Sequence, residues 1–522
     1  MQKLNNVTGG HENNKGNDVG STLASDRFPS TIDSFWFSIN SNVIVNPFDF
    51  VTVEHIFNTR TVGMVKELLS TENVGSAAKV DVMANTGVEN ESGKIINIGM
   101  PVGPEKSVRF ATGEEVIFAL GIPEMKNPIP AGVIEMTNGL QVPISLDISY
   151  LLGPDTAHVN AAGISGNLKT SYLFFLLHST YQRLMKDRQD NAAIIIFNTK
   201  DEDLLHIDEK KKVKENTKKL FDLLDLNTEP FENVLYFLPR GKDGRPNSAA
   251  TPQNSKTYSF GLEDIYDRLD LLFETNDDSY NVSSILNYIY EAWPLISKNR
   301  QVKTWTDLFE FREYPLEVVT HKSTLLRFLG RLQRFRKSPM FIEHKVTSTY
   351  LGKEIKKIRP SDVFVIDIAM IPTLEEQKFV VGDVMKSIDE LYSARHSSRN
   401  RPQYILIFVD EINRFLPRSE GKMSTVAEQI MRTIVAGTSR GTILFSAQQF
   451  KSRVDPALHE GTGMHILAKL GMSELSTSSY SMIDDSTKAN IVRLNKGELV
   501  MVHPALRHPI KIVFPKAPFR SG

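Results

Sequence analysis

The sequence of 522 residues contains no cysteine. This absence excludes disulfide bonds and thiolate metal sites, and it favours a reducing compartment. The chain also has no long apolar run, because its longest ones, residues 192–197 and 404–409, match single β-strands and fall far short of the roughly 20 residues that span a bilayer. The N-terminal residues show no apolar segment of the kind found in signal peptides. We therefore expect a cytoplasmic protein that does not enter a membrane.

Neither sign of charge is in excess, since 61 basic and 62 acidic residues leave a net charge of −1. A protein that binds nucleic acid through its overall charge is normally basic. Any contact with a polynucleotide must then be local, for example along a channel. Residues 209–219 and 394–401 form two basic clusters that could make such a contact, although most runs of this kind are solvated surface.

The most informative segment is HVNAAGISGNLKTS at residues 158–171, which predicts a strand, a glycine-rich turn and the start of a helix. Backbone N–H groups at a helix start, together with a lysine, bind phosphate groups. The pattern G-x-x-x-x-G-K-[ST] is met except at Leu168, which replaces the second glycine. Because a Cβ atom makes positive φ costly, we expect Leu168 to avoid that conformation. The candidate nucleotide-binding residues are Gly163, Ile164, Ser165, Gly166, Asn167, Leu168, Lys169, Thr170 and Ser171.

A second apolar run, YILIFV at residues 404–409, ends in Asp410 and Glu411. If this strand neighbours the phosphate loop, the two carboxylates lie beside it at the carboxyl edge of a sheet. Asp410 would then hold Mg²⁺ together with Thr170, and Glu411 would polarise an attacking water molecule. A buried strand ending in acids is common by itself, but in combination with the loop it favours a site for ATP and Mg²⁺. The twelve histidines show no metal-ligand spacing, so no other metal is predicted.

Two further polar residues border the predicted strand at 442–447. Gln448 follows the strand and could sense the γ-phosphate, or it could simply face solvent. Gln449 fits the same role if the register shifts by one residue. Arg440 precedes the strand and could act on a nucleotide bound to a neighbouring subunit, although by itself it is typical of an ordinary surface arginine.

The patterns of apolar and turn residues divide the chain into five parts. Short alternating runs, including EEVIFALGIP at 114–123 and a hairpin around Asn138-Gly139, predict strands in the N-terminal part. Alternating strands and helices predict a parallel α/β core further along. The predicted parts are a disordered tail (1–26), an N-terminal β-barrel (27–150), the α/β core in two segments (151–260 and 346–490), a helical insertion between them (261–345), and a C-terminal β-hairpin and tail (491–522).

This succession of segments resembles the HerA-like ATPases, in the FtsK–HerA branch of the RecA-like P-loop ATPases. The resemblance extends from about residue 42 to 516 and is carried by NPFDFVTVEH, the phosphate loop, IIIFNTKDEDLL, VFVIDIAMI, the Asp-Glu pair, GTSRGTILFSAQQ and LNKGELVMVHP. It implies an α/β fold with a RecA-like core, an N-terminal barrel similar to the HAS barrel, and a helical insertion. It also implies catalytic roles for Glu411, for Gln448 as a sensor, and for Arg440 as an arginine supplied in trans.

The resemblance further implies a homo-hexameric ring that hydrolyses ATP with Mg²⁺ and translocates or remodels double-stranded DNA. Many members of the family act with an effector, such as a nuclease or a sirtuin-like NAD-degrading enzyme, in DNA processing or antiphage defence, so the resemblance implies such a partner here. Lys200 and the 209–219 cluster are then candidates for lining the channel. Leu168 departs from the family's loop and predicts slow or partner-dependent hydrolysis. The alternative is an ATP-binding scaffold that assembles and regulates an effector with little hydrolysis, although Glu411 argues against a purely structural role.

Overall fold

The computed structural model describes residues 18–72, 74–89, 94–153, 157–166, 168–187, 191–273, 279–315, 317–319, 322–344, 346–393, 401–419 and 423–520. The helices are α1 (Gly113–Ala119), α2 (Ser149–Leu152), α3 (Lys169–Asp187), α4 (Glu215–Leu223), α5 (Leu262–Ile265), α6 (Ser279–Asn299), α7 (Trp305–Glu310), α8 (Lys322–Arg336), α9 (Leu351–Ile355), α10 (Leu374–Ser393), α11 (Thr425–Arg440), α12 (Pro456–Glu460), α13 (Met472–Leu475) and α14 (Asp485–Arg493). Short 3-10 helices are Ile56–Asn58, Ile122–Glu124, Tyr266–Leu272, Ile412–Arg414, Lys451–Arg453 and Ser478–Tyr480.

The strands are β1 (Asp18–Leu23), β2 (Ser34–Ile39), β3 (Phe50–Glu54), β4 (Arg60–Thr71), β5 (Gly75–Asn85), β6 (Val88–Glu89), β7 (Ile95–Ile96), β8 (Ser107–Phe110), β9 (Pro128–Glu135), β10 (Gln141–Asp147), β11 (Val159–Ala162), β12 (Ala192–Asn198), β13 (Val234–Pro239), β14 (Ser255–Tyr258), β15 (Phe260–Gly261), β16 (Phe341–Ile342), β17 (Val363–Asp367), β18 (Tyr404–Val409), β19 (Thr442–Gln448), β20 (Met464–Leu467), β21 (Leu499–Val502) and β22 (Ile510–Ile512). None of the described helices combines the length and the apolar character that a membrane crossing requires.

The N-terminal sheet contains six antiparallel strands in the order β1–β2–β5–β4–β3–β8, and β8 pairs back onto β1, so the sheet is closed. Alternate side chains point inward, as the pleat requires, and Phe35, Val51 and Val80 are among those buried in its interior. β1 lies inside the segment 1–26, for which we predicted disorder, so that prediction is wrong at residues 18–23. Residues 1–17 lie outside the described part of the chain.

The segment EEVIFALGIP forms helix α1 and not the predicted strand. The reason is a capping box: the Thr112 hydroxyl accepts a hydrogen bond from the Glu115 N–H, and the Glu115 carboxylate accepts one from the Thr112 N–H. Glu115 is further held by the Arg109 guanidinium at 2.6 and 2.9 Å. Farther along, β9 and β10 pair around the predicted Asn138-Gly139 turn.

The main sheet has ten strands in the order β14–β13–β17–β12–β18–β19–β11–β20–β21–β22, and the first eight of these are parallel. Every residue of β12 is buried, as expected for a strand covered on both faces. Helix α3 packs on one face, and α10 and α11 pack on the other. The C-terminal hairpin β21–β22 pairs with β20 and extends this sheet. Residues 491–493, predicted as the start of a strand, instead end helix α14.

The predicted helical insertion contains α5 to α8, and its two ends meet through the parallel pair β15–β16. A buried ion cluster joins this region to α10. The Arg268 guanidinium is 3% exposed and lies 2.6 Å from the Asp383 carboxylate and 2.8 Å from Asp267 and from Glu390. The Tyr350 hydroxyl donates a hydrogen bond of 2.8 Å to Asp383. These contacts fix the insertion against the sheet that carries the phosphate loop.

Candidate functional site

The glycine-rich loop connects the carboxyl end of β11 to helix α3. Gly163 has no room for a side chain, because an added Cβ atom would lie 2.5 Å from the Cβ of Ala468, directly after β20. Gly166 has φ of +82°, a conformation that favours glycine. The Ile164 N–H donates a hydrogen bond of 3.2 Å to the Lys469 carbonyl, which holds the loop against the end of β20. Ser165 is exposed, and Asn167 lies outside the described residues.

Leu168 has φ of +62°, so our expectation that it avoids positive φ is wrong. Its carbonyl already accepts the first helical hydrogen bond of α3, from the Tyr172 N–H at 2.9 Å, and the helix start therefore fixes its position. The left-handed conformation costs a residue with a Cβ atom roughly 1–2 kcal/mol. The Leu168 side chain lines two cavities of about 350 and 540 Å³. The loop thus keeps the shape that a glycine would adopt, at the expense of strain.

Four side chains of the predicted site come together at the carboxyl edge of the sheet. The Thr170 hydroxyl donates a hydrogen bond of 3.3 Å to Oδ2 of Asp410. Nζ of Lys169, which is 5% exposed, lies 3.9 Å from Oε1 of Glu411. The strands β11 and β18 are not neighbours, because β19 lies between them. The residues still meet, since the carboxyl ends of parallel strands share one edge.

Glu411 has φ of +51°, an unusual conformation for a residue with a side chain. Its N–H donates a hydrogen bond of 2.9 Å to Oδ1 of Asp410. The neighbouring oxygen Oδ2 of Asp410 accepts the Thr170 bond, so the two oxygens of this carboxylate have separate partners. Strain of this kind persists only where the surroundings impose it, and it concentrates at functional sites.

Lys200 also belongs to this site, which differs from our placement of it in a DNA channel. Its Nζ donates a hydrogen bond of 2.8 Å to Oδ2 of Asp410 and lies 3.6 Å from Oε1 of Glu411. Partial burial disfavours the ammonium charge, but the hydrogen bond and the charge of Asp410 outweigh burial and raise the pKa of Lys200. The available signal was its position two residues after β12, at the same carboxyl edge.

Gln448 is fully buried and does not face solvent. Its Oε1 accepts a hydrogen bond of 2.8 Å from the Asn160 amide, and its Nε2 donates one of 2.7 Å to Oδ1 of Asn160. Gln449 is half-buried just beyond the strand. Sequence reasoning missed Asn160, which lies within the apolar run that precedes the loop.

Arg440 is the last residue of α11, and only Gly441 separates it from the first residue of β19. Its backbone therefore lies at the amino end of the strand whose carboxyl end carries Gln448. Seven residues of strand separate these two edges by roughly 20 Å. The structure thus does not bring Arg440 to the nucleotide site of its own chain, and its side chain lies outside the described part.

The cavity of about 350 Å³ is continuous with the site and is lined by Leu168, Thr170, Ser171, Lys200, Asp410 and Lys211, among others. Lys211 comes from the basic cluster 209–219, so part of this cluster borders the phosphate loop. In the cluster at 394–401, residues 394–400 lie outside the described part of the chain.

The donor set fits Mg²⁺. Thr170 and Asp410 offer hard oxygen ligands, which this ion prefers, and Mg²⁺ at nucleotide sites takes its remaining ligands from phosphate groups and water. Within the described ranges, no group of three or more His, Asp or Glu side chains is arranged to hold a metal ion by itself. The arrangement can therefore hold a metal together with a nucleotide.

No protein-family model matches the sequence, and no curated protein matches it. Among solved structures, the unbound bacterial conjugative coupling protein TrwBdeltaN70 is similar with a TM-score of 0.47 and 14% identity, over 79% of this chain and 94% of that chain. TrwB in complex with the ATP analogue ADPNP gives a TM-score of 0.43 and 13% identity, over 70% and 86%. The genome packaging NTPase B204 from Sulfolobus turreted icosahedral virus 2, with ATP-gammaS, gives 0.24 and 13%, over 32% and 72%. Likenesses of this strength assign neither a family nor a function.

Proposed function

We propose that this chain is an ATPase of the P-loop class that uses Mg²⁺. The single observation that carries the proposal is the convergence at one edge of the sheet of Lys169 and Thr170, at the start of α3, with Asp410 and Glu411, directly after β18. Phosphoryl transfer to water requires a phosphate-binding lysine, a hydroxyl and a carboxylate that can share a metal, and a second carboxylate.

Each side chain has a distinct task in this proposal. Lys169 and the N–H groups at the start of α3 bind the phosphates. Thr170 and Asp410 would hold Mg²⁺, which would supply positive charge against the phosphates. Glu411, whose side chain is 13% exposed, accepts a hydrogen bond from the attacking water and orients it. The distance of 3.9 Å between Lys169 and Glu411 leaves little room, so the two groups must separate when a γ-phosphate enters between them.

We further propose that the chain is a HerA-like member of the RecA-like ATPases that acts as a homo-hexamer on double-stranded DNA. The placement of β19 between the loop strand and the acidic strand supports a RecA-like core, in which an additional strand separates these two. The closed N-terminal sheet supports the HAS-like barrel. Arg440 lies too far from its own site to serve it, so any role for it requires a neighbouring copy. An effector, such as a nuclease or an NAD-degrading enzyme, would act with the ring.

The second candidate is an ATP-binding scaffold with little hydrolysis of its own. Two observations favour it. The Gln448 amide is buried against Asn160, although a γ-phosphate sensor must be free to contact the nucleotide. Leu168 holds the phosphate loop in a left-handed conformation that glycine adopts more readily. This departure from the usual loop supports slow hydrolysis. In this case ATP would control assembly of the effector complex.

Steady-state ATP hydrolysis by the purified chain, with and without linear duplex DNA, tests the proposal. Glu411→Gln is the matched blank, because it keeps the shape of the side chain and removes the carboxylate. Lys169→Ala tests nucleotide binding with a fluorescent ATP analogue. We expect turnover that vanishes in Glu411→Gln and rises with DNA, and binding that is lost in Lys169→Ala.

The outcomes separate the two candidates. Binding of ATP without turnover above the Glu411→Gln blank would select the scaffold. Equal turnover in wild type and Glu411→Gln would contradict the hydrolytic role of Glu411. Undiminished ATP binding by Lys169→Ala would show that the loop is not the nucleotide site.

A further inference from the structure

Asp410 Oδ2 has two donors in this structure, the Thr170 hydroxyl at 3.3 Å and the Lys200 ammonium at 2.8 Å. Thr170 and Asp410 are the protein groups that would hold Mg²⁺. A cationic side chain therefore occupies the acceptor atom that the metal requires. The same ammonium lies 3.6 Å from Glu411, so its single charge faces both carboxylates.

The position of Lys200 is fixed by buried polar contacts behind it. The fully buried Asn198 amide donates hydrogen bonds of 2.7 Å to the Asp201 carbonyl and 2.8 Å to Oδ1 of Asp367. Asp201 has φ of +34°, and the Asp203 N–H donates a hydrogen bond of 3.2 Å to the Lys200 carbonyl. Asn198 thus anchors the turn that presents Lys200 to the acidic pair. The backbone of Lys200 is therefore held in place independently of its side chain.

We propose that Lys200 is a built-in counter-ion of Asp410 and Glu411 that competes with Mg²⁺ for the Asp410 carboxylate. The inference rests on the proposed ATPase function and concerns the regulation of the same site. Without nucleotide, the ammonium offsets part of the negative charge of the acidic pair and disfavours binding of the metal alone. The phosphates of bound ATP would offer the ammonium a new partner, and Asp410 would then be free to hold Mg²⁺ together with Thr170.

The surroundings of Lys200 allow this exchange. Its side chain is 47% exposed, whereas that of Asp410 is 5% exposed, so the lysine can move while the carboxylate stays in place. Lys200 lines the cavity of about 350 Å³ together with Thr170 and Ser171, at the start of the helix that would hold the phosphates. A rotation of its side chain into this cavity carries the ammonium toward the phosphate groups. In this proposal, binding of the metal depends on binding of the nucleotide.

The test is binding of Mn²⁺ alone, in place of Mg²⁺, to the full chain without nucleotide, measured by the electron paramagnetic resonance signal of the free ion. Mn²⁺ accepts the same oxygen ligands. We expect Lys200→Met to bind Mn²⁺ at least about tenfold more tightly than wild type, because the competing charge at hydrogen-bond distance is gone. The double variant Lys200→Met/Asp410→Asn should lose this gain, which assigns the ion to Asp410.

Lys211→Met is the matched control, since Lys211 lines the same cavity and is held through its backbone, whose N–H donates a hydrogen bond of 3.0 Å to the Pro518 carbonyl. It should leave Mn²⁺ affinity within about twofold of wild type, because charges separated across solvent interact weakly. Lys200→Gln provides a second neutral variant if Lys200→Met does not fold. Equal or weaker Mn²⁺ binding in the folded Lys200 variants, or the same gain in Lys211→Met, would overturn the proposal. The assay uses no nucleotide, so a failed ATPase assay remains a separate result.

Discussion

Asn160 and Gln448 exchange two hydrogen bonds through their side-chain amides, of 2.8 and 2.7 Å, although 288 residues separate them in sequence. Both side chains are fully buried: Asn160 lies on β11, which leads into the phosphate loop, and Gln448 ends the neighbouring strand β19. The pair joins the strand that leads into the loop to the strand that ends in the predicted sensor. Any movement of Gln448 toward a nucleotide must break both bonds.

Removing either amide should therefore destabilise the chain through the partner it leaves behind. We expect Asn160→Ala and Gln448→Ala each to lower the free energy of unfolding by about 1–3 kcal/mol, because the remaining buried amide loses both of these hydrogen bonds. Asn160 keeps one further bond, of 2.9 Å, to the Ser446 hydroxyl, so the cost of Gln448→Ala should be the smaller of the two. The double variant should lose less free energy of unfolding than the two single variants added together, since in each single variant the pair of hydrogen bonds is already gone. Urea denaturation of the four proteins measures this coupling. Strictly additive costs would show that the pair contributes no joint stabilisation.

Leu168→Gly should relax the strained phosphate loop. Glycine adopts the observed φ of +62° without a steric penalty, and the strain of roughly 1–2 kcal/mol is already present without nucleotide. We therefore expect Leu168→Gly to have a free energy of unfolding up to about 1 kcal/mol higher than that of Leu168→Ala, because the greater freedom of glycine in the unfolded chain offsets part of the released strain. Leu168→Ala is the matched control, because it removes the cavity-lining side chain but keeps the Cβ atom and the strain. Urea denaturation measures the difference, and a Leu168→Ala protein as stable as Leu168→Gly or more so would contradict strain at this backbone position.

The buried Arg268 cluster should dominate the stability of the helical insertion. We expect Arg268→Met to lower the free energy of unfolding by about 3–5 kcal/mol, because Asp383 is left buried without its charge partner. Urea denaturation followed by circular dichroism checks the magnitude. Arg245→Met is the control, since the Arg245–Asp243 pair is exposed and should contribute almost nothing. A loss below about 1 kcal/mol in Arg268→Met would mean that water or rearrangement compensates Asp383.

The order of strands and helices around the site follows from local sequence patterns. The apolar runs of β12, β18 and β19 and the loop before α3 are where periodicity and turn residues predict them. Helix α1 was missed because its apolar residues also fit an alternating strand, although the Thr112 and Glu115 capping signal was present in the sequence. Local patterns thus fix the elements wherever capping and periodicity agree.

The contacts between distant residues could not be predicted in this way. Lys200 meets Asp410 across 210 positions, and Asn160 meets Gln448 across 288. Such pairs depend on the order of strands in the sheet, which apolar periodicity does not encode. The conformation of Leu168 was misjudged for a related reason, because the start of α3 imposes a backbone angle that the side chain by itself disfavours.

Lys451 lies fully buried just after β19, with its Nζ 2.9 Å from Nδ1 of His465. Burial lowers the pKa of Lys451 to about 7. His459 contacts the Lys451 carbonyl through its Nε2 at 3.1 Å, and the Tyr480 ring lies 5.6 Å from the ammonium. Glu474 accepts a hydrogen bond of 3.1 Å from the Tyr480 hydroxyl. The cluster therefore holds several ionisable groups in a region of low polarity.

The free energy of unfolding should rise with pH between about 7 and 10 because of Lys451. In this window the unfolded chain, where lysine titrates near 10.5, binds a proton that the folded chain does not, so raising the pH favours the folded state. The contribution of this group approaches about 1.4 kcal/mol per pH unit. Burial lowers the pKa of His459 to about 4 and raises that of Tyr480, so neither titrates in this window.

Urea denaturation at several pH values between 7 and 10 tests this dependence, with Lys451→Met as the reference. Methionine fills a similar volume and carries no proton, so the difference between the two proteins isolates Lys451. We expect the free energy of unfolding of the wild type to increase relative to that of Lys451→Met as the pH rises. Parallel curves would show that Lys451 stays charged inside the fold, and its ammonium would then need a buried partner stronger than His465.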